Sequence, residues 1–74
     1  MSKLVKIIAA NIRLYRIKRG LTQERLADMI KMDNGTISRF ELGKMSPNAE
    51  TLEKIAKALD IEPSQLLIPP KSNQ

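Results

Sequence analysis

Apolar residues recur along this chain at helical spacing. Leu4, Ile8, Ile12 and Tyr15 follow one another at steps of four, four and three, a single stripe on a helix spanning residues 3–19. Gly20 ends that helix after the basic pair Lys18-Arg19, because glycine accepts the left-handed conformation and cations suit a helix C-terminus. Thr22 has the hydroxyl that caps a second helix, residues 23–30, whose inward residues are Leu26, Ala27 and Ile30. Asp33 repeats the device for a third helix, residues 34–42, which buries Ile37 and Phe40 and stops at Gly43. After the turn Ser46-Pro47-Asn48, a fourth helix over residues 49–59 presents Leu52, Ile55, Ala56 and Leu59 to the core. Glu62-Pro63 opens a short fifth with Leu66 and Leu67 inward. Period-2 alternation never persists, so no strand is predicted.

The pattern is an all-α, five-helix globule: one domain over residues 1–68, followed by a polar tail over residues 69–74. At 74 residues a second domain is not expected, and no internal repeat or interdomain linker is visible. With one Phe and one Tyr, the core must be aliphatic.

Composition then narrows the chemistry. The chain has no Cys and no His, which removes disulfides, Cys/His metal sites and every Cys or His nucleophile or base. No catalytic residues, metal site or cofactor are therefore expected, and the chain does not read as an enzyme. No apolar run approaches the ~18 residues of a membrane span. Lys6 and Arg13 interrupt the start, so it does not read as a signal peptide, and a cytoplasmic location is expected. The net charge is +5, and it is uneven. Residues 1–45 hold ten basic side chains against four acidic, and residues 46–74 hold three against four. The basic half is the expected anion-facing surface, although charge alone also fits a solvated face.

The informative stretch runs from Leu21 to Phe40. Only Lys31, Met32 and Asp33 join the second helix to the third, a joint too short for antiparallel packing. The third helix must cross the second steeply and protrude. Its outer face carries small polar and basic residues, Asn34, Gly35, Thr36, Ser38 and Arg39, which suits the major groove of duplex DNA. Gly35 costs about 1 kcal/mol of helix propensity relative to Ala, an expense that a close approach to a sugar–phosphate wall would explain.

At this point the sequence resembles the lambda-repressor-like helix-turn-helix regulators, the Cro/repressor type. The matching residues are Ile12-Arg13, Arg16, Gly20-Leu21-Thr22-Gln23-Glu24, Leu26-Ala27 and the run from Thr36 through Phe40 to Lys44. Ser46-Pro47, Glu50-Thr51-Leu52, Ile55 to Leu59, Pro63 and Leu66-Leu67 continue the match in the same order, so it extends from Ile8 to Leu67. The resemblance implies a sequence-specific, double-stranded-DNA-binding transcriptional regulator, a dimeric repressor or autoregulator. Asn34, Gly35, Ser38 and Arg39 match its base-reading positions. Arg39 would pair with guanine or clamp a phosphate; Asn34 would pair with adenine or help cap its helix. Gln23, Thr22, Thr36, Lys44, Arg19 and Arg25 are the backbone-binding candidates, with Lys18 a weaker one. Arg16 and Glu41 match a structural ion pair linking the first helix to the end of the third.

Four positions depart from the family pattern. Lys31 stands where glycine is usual, Gly35 where a polar reader is common, and Leu14 and Ile17 where polar residues are common. The last two belong to a second apolar stripe, Ile7, Ala10, Leu14 and Ile17, covered either by the Leu67-Ile68-Pro69 segment or by a partner. A homodimer on a palindromic operator is the expected assembly, with recognition helices about 34 Å apart and its interface on the first helix or on the fourth and fifth. No small-molecule ligand and no membrane partner are expected. The alternative is a protein-interaction adaptor that uses the same fold without reading DNA sequence.

Overall fold

All four α-helices end in the same way, and those endings set the angles between them. The computed structural model describes residues 2–70, with α1 Lys3–Lys18, α2 Gln23–Ile30, α3 Asn34–Glu41 and α4 Ala49–Leu59. After each helix one residue turns left-handed: Gly20 (φ 72°), Lys31 (φ 58°), Gly43 (φ 73°) and Asp60 (φ 61°). In each case the next residue's N–H donates back over the last turn: Leu21 to Arg16 O at 3.0 Å, Met32 to Ala27 O at 2.9 Å, Lys44 to Arg39 O at 3.0 Å and Ile61 to Ala56 O at 3.0 Å. This closure satisfies carbonyls that the helix leaves orphaned and reverses the chain within two residues. Two of the four positions are glycine. Lys31 and Asp60 adopt the same backbone against the steric preference of an L-residue.

The helix starts are equally regular. Ser2, Thr22, Asp33 and Asn48 accept hydrogen bonds from the N–H groups of Val5, Arg25, Gly35 and Thr51. Each satisfies one orphan donor, a contribution of about 1 kcal/mol per cap.

The core is aliphatic apart from Phe40. Ile8 and Ile12 of α1, Leu26 and Ile30 of α2, Ile37 and Phe40 of α3, Ile55 and Leu59 of α4, and Leu66 all bury together. Leu4, expected on the core stripe, is 48% exposed. With 16 residues α1 is about 24 Å long, twice the length of the eight-residue α2 and α3, so its first turn overhangs the packed layer.

The fifth helix is corrected: the described residues form four α-helices and a short 3-10 helix, Pro63–Leu67. Gln65 Oε1 accepts from the Glu62 N–H at 3.0 Å and secures its start. Pro69 and Pro70 prevent continuation, because a residue before proline is driven out of the α region; Ile68 is extended at φ −96°, ψ 128°. Most of the tail expected over residues 69–74 lies outside the described residues.

What ties the 3-10 helix down is Asn11, the one fully buried polar side chain among the described residues. Its Nδ2 lies 2.7 Å from Ile68 O, 2.9 Å from Leu66 O and 3.3 Å from Gln65 O, so one amide holds the closing segment on α1. That segment covers the second apolar stripe only in part. Ile7 and Leu14 are half-buried, whereas Ile17, Leu67 and Ile68 remain exposed.

Replacing Lys31 by Gly removes the left-handed strain and is expected to stabilise the protein by about 1 kcal/mol, raising Tm by about 4–8 °C. Asp60→Gly should raise it by less, since Asp tolerates this region better. Thermal unfolding by circular dichroism reads both, and an unchanged or lowered Tm for Lys31→Gly contradicts the strain argument.

Candidate nucleic-acid interface

The chain turns at Lys31 and restarts as α3 after only three residues, and only one face of α3 is covered. Ile37 and Phe40 point into the core. Asn34 and Arg39 are exposed, and Gly35, Thr36 and Ser38 are half-buried. The four residues assigned to base reading therefore share the outer side of one helix. The cap belongs to Asp33, whose Oδ2 accepts from the Gly35 N–H at 2.9 Å, and Asn34 is the first helical residue.

Arg39 lies back along α3 toward its N-terminus. Its Nη2 donates to Thr36 Oγ1 at 3.2 Å. A Cβ built on Gly35 would sit 3.4 Å from Arg39 Nη1 and 2.8 Å from Asp33 Oδ2. Glycine at this position thus leaves room for the cap on one side and the guanidinium on the other. This contact within the helix gives Gly35 a purpose that composition and spacing did not reveal.

The inner end of α3 is held by a charge network. Arg16 Nε donates to Glu41 Oε2 at 2.6 Å and Arg16 Nη2 to Glu41 Oε1 at 3.1 Å, a two-pronged pair with side chains 12% and 4% exposed. Two more contacts complete it. Arg16 Nη1 donates to Leu21 O at 2.8 Å, and Gln23 Nε2 donates to Glu41 Oε1 at 3.0 Å. Glu41 so accepts three charge-assisted or amide hydrogen bonds, which offset the cost of burying its carboxylate. One network joins α1, the corner at Leu21, the start of α2 and the last turn of α3.

The remaining cations are less uniformly placed. Arg25 and Thr22 share the N-terminal turn of α2, where Thr22 Oγ1 accepts from the Arg25 N–H at 3.0 Å and keeps its own O–H to donate. Lys44 is exposed just beyond α3. Arg19 is drawn toward Asp60 at 3.8 Å, an exposed contact of small energetic weight. Lys18 lies 5.6 Å from the centroid of the Tyr15 ring. Sequence reasoning missed Asn11 and the Gln23–Glu41 bond. A buried amide in an apolar helix stripe leaves no periodic signature, and Gln23 reads equally as an ordinary helix-start residue.

A helix-turn-helix family model matches residues 12–66. Relatives agree with it. A hypothetical transcription factor from Neisseria meningitidis serogroup B is 35% identical over 65 residues, 88% of this chain and 61% of that protein. The cryptic phage CTXphi transcriptional repressor RstR of Vibrio cholerae is 33% identical over 67 residues, 90% of this chain and 60% of the relative. The chain therefore spans about three fifths of the length of these two relatives. Among solved structures, the Neisseria transcription factor NHTF superposes with a TM-score of 0.88 at 35% identity, covering 92% of this chain and 78% of that one. The restriction-modification controller protein C.AhdI from Aeromonas hydrophila gives 0.80 at 32% identity, covering 84% and 94%. This chain belongs to the lambda-repressor-like helix-turn-helix family.

Removing one partner of the buried pair strands the other charge, which costs about 3–5 kcal/mol. Arg16→Ala is expected to lower Tm by more than about 10 °C, and Glu41→Ala should do the same. Differential scanning calorimetry checks this, and a shift of only one or two degrees would mean that the pair behaves as a surface contact.

Proposed function

We propose that the protein is a sequence-specific transcriptional regulator that binds double-stranded DNA, with α3 lodged in the major groove. The observation that carries this reading is the outer face of α3. From Asn34 to Arg39 that face carries small polar and cationic side chains, with the Asp33 cap just before them, and the helix is anchored behind by the buried Arg16–Glu41 pair. A groove reader needs this combination, since base edges are reached only by a helix that protrudes and does not pivot.

In this reading Arg39 reads guanine O6 and N7, and Asn34 and Ser38 contact neighbouring bases. Gly35 keeps the helix backbone close to the groove floor. Thr36 and Thr22 donate hydroxyl hydrogen bonds to phosphates, and Gln23, Arg25 and Lys44 hold the backbone on either side. Arg19 contributes through its charge once it leaves the weak contact with Asp60. The relatives carry names of a transcription factor and a transcriptional repressor, which supports regulation of transcription as the outcome of binding.

One such domain covers too little DNA for tight specific binding, so the protein acts as a homodimer on a palindromic operator. The exposed apolar residues Ile17, Leu67 and Ile68 support an assembly in which some of this surface is covered. No helix among the described residues is long and apolar enough to cross a membrane. The operator is the partner, the cytoplasm is the proposed compartment, and no cofactor or small-molecule ligand is required.

Selection from a random duplex pool should enrich a palindrome whose half-sites lie one helical turn apart. On the enriched duplex, log K should fall steeply with log salt, while a residual preference over random duplex persists at high salt. Arg39→Ala is expected to weaken specific binding by about 5- to 150-fold and to leave Tm nearly unchanged. Lys44→Ala should weaken all duplexes alike and reduce the salt slope by about one. No enrichment together with a flat salt response would indicate an adaptor that does not read DNA.

A further inference from the structure

Away from the outer face of α3, an open groove of about 610 Å³ runs between the C-terminal end of α2 and α4. Its floor is formed by Met29, Met32 and Ala58, and its rim by Lys31, Lys54 and Lys57; no carboxylate lines it. Met29 is 39% exposed, and the three lysines all face solvent. Among the described residues none of these lysines takes part in an ion pair. Lys54 and Lys57 each follow a glutamate of α4, Glu50 and Glu53, by four positions, but neither pair closes to salt-bridge distance. The groove therefore offers three ammonium groups and no lining carboxylate to a ligand of opposite charge.

We propose that this groove docks an acidic amphipathic helix of a protein partner. The chemistry of the two layers selects that occupant. Thioether side chains adapt their shape to inserted leucine or phenylalanine side chains. A ring of ammonium groups at the rim meets carboxylates spaced around an apolar stripe, the helix-in-groove mode of recognition. A nucleic-acid phosphate strand fits poorly, because it would cover the methionines without filling the space between them. Thr22 stands at the other end of α2, whereas Arg25 precedes Met29 by four positions, about 6 Å along the helix. The proposal concerns the free protein and does not rest on the DNA-binding reading.

The test uses the full chain with 13C-labelled methionine methyls and two peptides of identical composition. One carries leucines at helical spacing among glutamates; the other alternates leucine and glutamate, so its charge is equal but it has no helical apolar stripe. The expected result is saturable movement of the Met29 and Met32 methyls by the first peptide, with Met45 stationary. The second peptide should bind at least about tenfold more weakly. The exposed double variant Lys54→Glu, Lys57→Glu should raise Kd at least about tenfold, and the milder Lys54→Gln, Lys57→Gln pair at least about threefold, with the Met45 signal marking an intact fold in both. Equal binding of the two peptides overturns the proposal, as does an absence of movement up to about 1 mM peptide. Movement of Met29 and Met32 on simple concentration of the protein would assign the groove to a second copy. Release of the bound peptide on addition of duplex DNA would assign the groove to the DNA contact. Either result also overturns the proposal.

Discussion

The contact between Arg16 and Glu41 governs the geometry of everything downstream of it. A lone carboxylate at the inner end of α3 would be costly to bury, but this one accepts two bonds from a guanidinium and a third from the Gln23 amide. The same guanidinium holds Leu21 O at the α1–α2 corner. Three helices thereby meet at one planar, multiply bonded group whose geometry tolerates little rotation. A hydrophobic contact of equal energy would hold α3 against the core without fixing its direction, since apolar burial is non-directional. Here the direction is set, and α3 projects its outer face at a defined angle.

The helix closures supply the second constraint. Each turns the chain over one left-handed residue and one hydrogen bond to the preceding turn, so short joints suffice. Nature of the residue matters less than the bond it makes: Lys31 and Asp60 take the conformation that Gly20 and Gly43 take at lower cost. Next to this frame, Gly35 acts through its missing side chain. The space it leaves is flanked by the Asp33 cap and the Arg39 guanidinium, which couples the start of α3 to the placement of its most strongly charged side chain.

Much of this was legible in the residue order. Leu26, Ile30, Ile37, Phe40, Ile55 and Leu59 announce their faces through spacing, and Thr22, Asp33 and Asn48 announce helix starts through their short polar side chains. α2 and α4 begin and end where the pattern predicts, whereas α1 and α3 stop one residue earlier. The Arg16–Glu41 contact could be expected only through resemblance to a family, since a separation of 25 positions carries no periodic link between them. Three features stayed hidden. The fifth helix proved to be a 3-10 helix of five residues, a distinction that apolar spacing over so short a segment does not register. Leu4 is solvent-exposed because α1 outruns its neighbours, which depends on helix lengths across the whole molecule. Asn11 folds the closing segment onto α1 through main-chain carbonyls, and main-chain partners leave no trace in side-chain identity.

The central claim is that α3 reaches the major-groove edges of bases, and guanine N7 is exposed on that edge alone. Dimethyl sulfate probing of the enriched duplex, with and without protein, measures this directly. The account predicts protection of guanine N7 at symmetric positions in both half-sites, with one protected guanine per half-site lost when Arg39 is replaced by Ala. Protection confined to adenine N3 in the minor groove, or guanines equally reactive in free and bound duplex, would contradict it.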